Sequence, residues 1–159
     1  EAYLRAYKQE FDLDFTIFRF FNTYGPKQST DFVMSKFIEA ALSDKDITIY
    51  GDGSQTRTFC YVDDNVEACL NAFYTHRVVN DVINVGNDHE TSILELAQLI
   101  KKILNSKSNI VHLPALKEGD MTRRCPDIGK MKILLNRELT PLEIGMERVI
   151  EVFRNKKGK

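Results

Sequence analysis

Apolar positions along the chain alternate between helical spacing and short strand-like runs, with turn chemistry between them. Ala2, Tyr3, Ala6 and Tyr7 predict a helix over residues 2–9. Phe15–Phe21 is aromatic and β-branched and reads as a strand apolar on both faces, as at the centre of a covered sheet. Asn22-Thr23-Tyr24-Gly25-Pro26 ends it as a turn. Phe32, Val33, Phe37, Ile38, Ala41 and Leu42 place one apolar stripe on a helix. Ile47–Tyr50 is a short strand, and Gly51-Asp52-Gly53 is a tight, hairpin-like turn into a second strand, Arg57–Val62. In that second strand Arg57, Phe59 and Tyr61 fall on one face and Thr58, Cys60 and Val62 on the other.

Asp63 or Asp64 is placed to cap a helix over Asn65–Tyr74, and Asp81–Gly86 is a strand with a glycine stop. Ser92-Ile93-Leu94-Glu95 is a capping box, followed by a stripe of Leu96, Leu99, Ile100, Ile103 and Leu104. Ile110–Leu113 is a strand closed by Pro114, and Asp127 caps a helix reaching about Leu135. Thr140-Pro141-Leu142-Glu143 opens a last helix that runs to about Arg154 and buries Ile144, Val149, Ile150 and Phe153. Strands alternating with helices imply an α/β fold.

Composition narrows the function classes. With 159 residues, 43% apolar and 28% charged, the chain has the balance of a folded globular domain. A net charge of −1 gives no field suited to nucleic acid or an anionic membrane. The basic run Arg154–Lys159 reads as a solvated tail, and no apolar stretch has the ~20 residues of a membrane span. Cys60, Cys69 and Cys125 have no paired spacing and imply reduced thiols in the cytoplasm; three histidines without ligand spacing argue against a metal site.

Four stretches carry candidate chemistry. Arg19 lies inside an apolar strand and needs a counter-charge, either a carboxylate of the protein or a bound anion. Asn22 and Thr23 follow at the strand end, where open α/β sheets bind ligands. Gln55 and Arg57 flank the Gly51–Gly53 turn, and a guanidinium there suits a phosphate or simply a solvated turn. Arg123-Arg124-Cys125-Pro126-Asp127 places two arginines before a helix cap, and Tyr50 offers an aromatic face to a nucleobase or to the core. No glycine-rich phosphate loop and no nucleophile elbow occurs.

Arg19-Phe20-Phe21-Asn22-Thr23-Tyr24-Gly25-Pro26 followed by Tyr50-Gly51-Asp52-Gly53-Ser54-Gln55-Thr56-Arg57 and Tyr61-Val62-Asp63-Asp64 resembles the extended short-chain dehydrogenase/reductase family. Asn84-Val85-Gly86-Asn87, Ile93–Ala97 and Arg124–Ile128 extend the resemblance over nearly the whole chain, in the family's order. Within the family it is similar to nucleotide-sugar epimerases, 4,6-dehydratases and, nearest, UDP-glucuronate decarboxylases. The resemblance implies the carboxyl-terminal part of a Rossmann-type NAD-binding enzyme plus a small α/β substrate-binding domain. Residues 1–30 and about 63–90 would belong to the first, and about 31–62 and 91–159 to the second.

By position it assigns Asn22, Arg57 and Arg124 to the diphosphate of a UDP-sugar and Tyr50 and Gln55 to the nucleotide. Thr23 and Arg19 are assigned to the NAD side. It further implies an absent Rossmann half, a homodimeric complete enzyme, and no activity from this chain alone, because the family's Tyr-x-x-x-Lys pair and NAD loop fall ahead of Glu1. Phe15–Phe21 and Val82–Val85 are then expected to lack sheet neighbours and to leave apolar surface exposed. Phe32 falls where the decarboxylases carry an arginine, which leaves epimerase and dehydratase chemistry open. A stand-alone sugar-nucleotide-binding module is the alternative of another class.

Overall fold

The computed structural model describes residues 1–115 and 122–157; the end of the basic tail, residues 158–159, lies outside the described residues. In chain order the elements are α1 (Ala2–Phe11), β1 (Thr16–Phe20), β2 (Thr23–Tyr24), α2 (Val33–Ala41), β3 (Ile47–Tyr50), β4 (Thr56–Thr58) and β5 (Cys60–Tyr61). There follow α3 (Val62–Thr75), β6 (Asp81–Val85), β7 (Glu90–Ser92), α4 (Ile93–Leu104), β8 (Ile110–Leu113), β9 (Arg123–Arg124), α5 (Gly129–Leu135) and α6 (Leu142–Lys157). Helices α1, α3, α4 and α5 stop on left-handed residues, Asp12, His76, Asn105 and Asn136. Asparagine and aspartate tolerate that conformation better than most side chains.

Among the described residues three two-stranded sheets are parallel: β1 with β6, β2 with β5, and β3 with β8. The fourth sheet is mixed, in the order β7-β4-β9, with β7 antiparallel and β9 parallel to the middle strand. Two apolar cores lie around these sheets. One gathers Ile38, Ile47, Ile49, Leu96, Ile100, Met146 and Ile150 from α2, β3, α4 and α6. The other gathers Ala68, Ala72, Ile83, Val85, Met131 and Leu134 from α3, β6 and α5.

Several expectations change. Arg57–Val62 is not one strand: it divides at Phe59, with β4 in the mixed sheet and β5 beside β2, and Val62 opens α3. The predicted alternation nonetheless operates, since Phe59 and Tyr61 enter the first core and Cys60 the second. Burial of Cys60 pushes its thiol up to about 12. No hairpin forms across Gly51–Gly53, because β3 pairs with β8 instead of β4. Residues read as a turn contribute β2. Phe15–Phe21 and Val82–Val85 are not left without partners: β1 and β6 pair with each other over five residues. Within β1 only Ile17 is buried, so the strand is not covered on both faces.

Apolar surface is exposed on α1, at Tyr3, Tyr7 and Phe11, and on one face of α3, at Val66, Leu70 and Phe73. In α6, Met146 takes the inward position expected of Ile144, which is 44% exposed. That helix approaches so closely that a Cβ at Gly145 would collide with the Tyr24 phenol and the Tyr61 ring.

Neither Asp63 nor Asp64 caps α3; its N-cap position is Tyr61, with no side-chain bond. Asp127 stands one residue before the N-cap Ile128 and accepts from the Gly129 amide at 2.8 Å. Asp64 is instead fully buried and accepts from the Thr140 amide at 2.9 Å and its hydroxyl at 2.8 Å. Arg137 pairs with it at 2.8 Å and with Glu67 on the next turn. This ties α3 to the α5–α6 connection. Asp64→Ala should therefore lower stability by about 2–3 kcal/mol, the cost of stranding a buried donor and a charged bond. Urea unfolding followed by circular dichroism measures it, and a shift near zero would deny Asp64 that role.

Candidate functional site

The site is assembled where β1, β3, β4 and β9 meet the start of α2. Ile47 and Ile49 point into the core, so alternation turns Thr48 and Tyr50 outward into a cleft of about 720 Å³. The β3–β4 connection is held from several sides. Gly51 and Gly53 have φ of 70° and 78°, and a Cβ at Gly53 would press on Leu94 and Ile49. Asp52 accepts from the Ser54 amide and hydroxyl, and the Gln55 amide donates to the Tyr50 carbonyl at 3.2 Å. Amides of Ile93 and Leu94 donate to the Gln55 and Gly53 carbonyls, which pins the loop to the start of α4. The predicted capping box of Ser92 and Glu95 is formed there.

The arginines of the two separate stretches meet in the mixed sheet. Arg57 on β4 and Arg124 on β9 are register partners in a parallel pair, so both side chains leave the sheet on the same face, and both line the cleft. The Arg57 guanidinium also donates to the Thr56 carbonyl at 2.8 Å. Arg124 sits over the Phe21 ring at 5.5 Å, a cation–π contact that orients it. Like charges placed side by side on neighbouring strands repel, and an anion held between them converts that repulsion into attraction.

Asn22 lies two residues beyond the end of β1, has φ of 36° and lines the same cleft. Its side-chain amide nitrogen is buried with no hydrogen-bond acceptor among the described residues. A buried donor without an acceptor is costly, and this one faces the cleft. Thr23 also lines the cleft, and its hydroxyl accepts from the buried Asn65 at 2.6 Å.

The cleft thus brings together Asn22, Thr23, Tyr50, Gln55, Arg57 and Arg124. Arg19 is not among its lining residues. It forms a two-point ion pair with Glu1, at 2.7 Å for each bond, so its charge is met by a carboxylate of the chain. Phe21, Thr48 and Lys36 were not foreseen. Phe21 reads as core by hydropathy, and only the position of β9 shows it to be a platform for Arg124. Thr48 was legible from the alternation around Tyr50.

A second tie lies on the other face of the mixed sheet. Glu90 on β7 accepts from Arg123 Nε at 3.0 Å and Nη2 at 2.7 Å, and from the Thr56 hydroxyl at 2.7 Å. Among the described residues, no group of three or more His, Cys, Asp or Glu is arranged to hold a metal. None of their helices is long and apolar enough to cross a membrane.

Fold and cleft together define a mixed α/β unit in which Arg57 and Arg124 share one cleft. Residues 1–86 match the model of the NAD dependent epimerase/dehydratase family, and the chain belongs to that family. UDP-glucuronic acid decarboxylase 1 of Danio rerio is 39% identical over 156 residues, 96% of this chain and 37% of the relative. UDP-N-acetyl-alpha-D-glucosaminuronate decarboxylase of Bacillus cytotoxicus is 39% identical over 151 residues, covering 89% of this chain and 47% of the relative.

Among solved structures, UDP-glucose 4-epimerase of Thermotoga maritima with UDP-glucose superposes with a TM-score of 0.89 at 33% identity. The match covers 98% of this chain and 51% of that one. UDP-glucuronic acid 4-epimerase of Bacillus cereus, with UDP-glucuronic acid and NAD, gives 0.86 at 30% identity over 98% of this chain and 50% of that one. The architecture is that of the Rossmann-type enzymes of this family, and the chain spans less than half the length of the two decarboxylases.

The Glu90 carboxyl is held below its ordinary 4.5, first by the Arg123 bond and then by the Thr56 hydroxyl. A depressed folded-state value stabilises the fold above the unfolded value, and that contribution is lost as pH falls through the folded value. The stability gap between wild type and Glu90→Gln should thus be present at neutral pH and shrink towards zero as pH is lowered below 4.5. A gap unchanged by acid in urea titrations would contradict this.

Proposed function

We propose that the chain is the sugar-nucleotide-holding part of an NAD-dependent enzyme that remodels a UDP-sugar through a 4-keto sugar, most like a UDP-glucuronate decarboxylase. The observation that carries this reading is the register pairing of Arg57 with Arg124 across a cleft that also holds the unsatisfied amide of Asn22. Two guanidinium groups supply two-point contacts to neighbouring phosphates, and the Asn22 amide supplies a third donor. Tyr50 and the Gln55-braced turn lie at the nucleotide end. A pyrophosphate fixed at these points holds the sugar against drift while its ring reacts, a positioning contribution to rate.

Bound NAD would supply the hydride acceptor for C4 of the sugar. Thr23 is the residue of this chain we assign to the NAD side, its hydroxyl held by Asn65. The sequence contains no Tyr-x-x-x-Lys pair and no glycine-rich phosphate loop. We therefore infer that these 159 residues bind the sugar nucleotide without turning it over, and that a Rossmann half completes the cytoplasmic, homodimeric enzyme. Exposed apolar faces on α1 and α3 support a covering partner of that kind.

C4 epimerisation is the second reading. Phe32 borders the cleft and is exposed at the position where decarboxylases carry an arginine, which removes one cation from the sugar end.

Titration calorimetry with UDP and UDP-glucuronate tests the assignment. Arg57→Ala and Arg124→Ala should each weaken binding by about 1.5–3 kcal/mol, the worth of a charge-assisted contact, with the fold intact by circular dichroism. Unchanged affinity in both variants would remove the clamp.

A further inference from the structure

Strand β9 is only two residues long, with two register pairs joining it to β4. So short a ladder holds an edge strand weakly on its own. Yet Arg124, half of that strand, must stand opposite Arg57 for both guanidinium groups to meet one ligand. Something besides the backbone has to set its place.

The other face of the sheet supplies it. Residues 56 and 123 point away from the face that carries residues 57 and 124. There the Glu90 carboxylate spans all three strands: from β7 it accepts from Thr56 on the middle strand and takes the Arg123 guanidinium on β9 at two points. Beneath it, the Thr56 amide donates to the Thr122 carbonyl at 3.0 Å. Strand β7 is itself anchored, because Ser92 is both its last residue and the capping-box residue of α4. The carboxylate also neutralises Arg123 and leaves the adjacent Arg124 as the cation presented to the cleft.

We propose that Glu90 is a positioning residue: bonded to Thr56 and Arg123 behind the β7-β4-β9 sheet, it fixes β9 in register and thereby sets Arg124 beside Arg57. This rests on the reading of those two arginines as the diphosphate clamp. Glu90 makes no contact with the ligand in this scheme; it acts through Arg124.

The sign of one substitution separates positioning from simple electrostatics. Removing a carboxylate near an anion site strengthens anion binding by charge alone. Positioning requires the opposite. Calorimetry with UDP on the 159-residue chain should show Glu90→Gln weakening binding about tenfold. In an Arg124→Ala background the same change should have less than about a twofold effect, whereas in an Arg57→Ala background it should keep nearly its full effect. Arg123→Ala, which cuts the tie from the other strand, is the second variant should Glu90→Gln fold poorly.

Amide hydrogen exchange gives a readout that needs no ligand. Glu90→Gln should speed exchange across residues 122–124 while β3 and β6 stay protected. Unchanged or tighter UDP binding in Glu90→Gln, or equal weakening in the Arg124→Ala background, overturns the proposal. Wild-type chain that fails to bind UDP while β9 is still released by Glu90→Gln would overturn the clamp and leave the positioning role standing.

Discussion

Lateral pairing of β4 with β9 is the constraint on which the site depends. Arg57 and Arg124 lie 67 positions apart in the sequence. Parallel pairing brings them to one register position, on one face, in a cleft with a buried amide that has no acceptor among the described residues. Convergence of this kind is set by strand register and not by either stretch of sequence alone.

The two cores explain why the cleft has firm walls. One side rests on α2, α4 and α6 packed over β3, the other on α3 and α5 packed against β6. Between them β2 and β5 form a short parallel seam in which Tyr24 and Tyr61 meet edge to face, with ring centroids 5.5 Å apart. Gly145 lets α6 lie directly on that pair. The buried Asp64 adds a polar tie from the start of α3 to the chain entering α6. Cleft-lining residues on β1 and β3 are therefore carried on different cores that are fastened to each other by aromatic contact and by one buried carboxylate.

Much of this was legible in the chain, and the failures have identifiable causes. Helices with a clear apolar stripe or capping box, such as α4, stand where hydropathy places them, because burial of one face dictates them locally. Two-residue strands do not announce themselves: β2, β5 and β9 exist through partners distant in sequence, and no periodicity can be read from Thr23-Tyr24 or Arg123-Arg124. The hairpin expected at Gly51–Gly53 failed for a related reason. Its turn residues are as expected, yet β3 finds a better partner in β8, so the same glycines make a loop that passes between sheets. Asp64 looked like a cap because aspartate favours that position; its carboxylate instead went to Thr140, a partner 76 residues away. Candidate ligand residues were recognisable by type, but their convergence was a property of strand register alone.

Phe59, Cys60 and Tyr61 carry a further implication. Three consecutive residues send their side chains alternately into two different cores, so backbone phase at this point is shared between both halves of the packing. A single added or deleted residue between Arg57 and Cys60 would reverse the orientations within β5, placing a thiol where a ring belongs and disturbing both cores at once. Spacing here is held more tightly than side-chain identity.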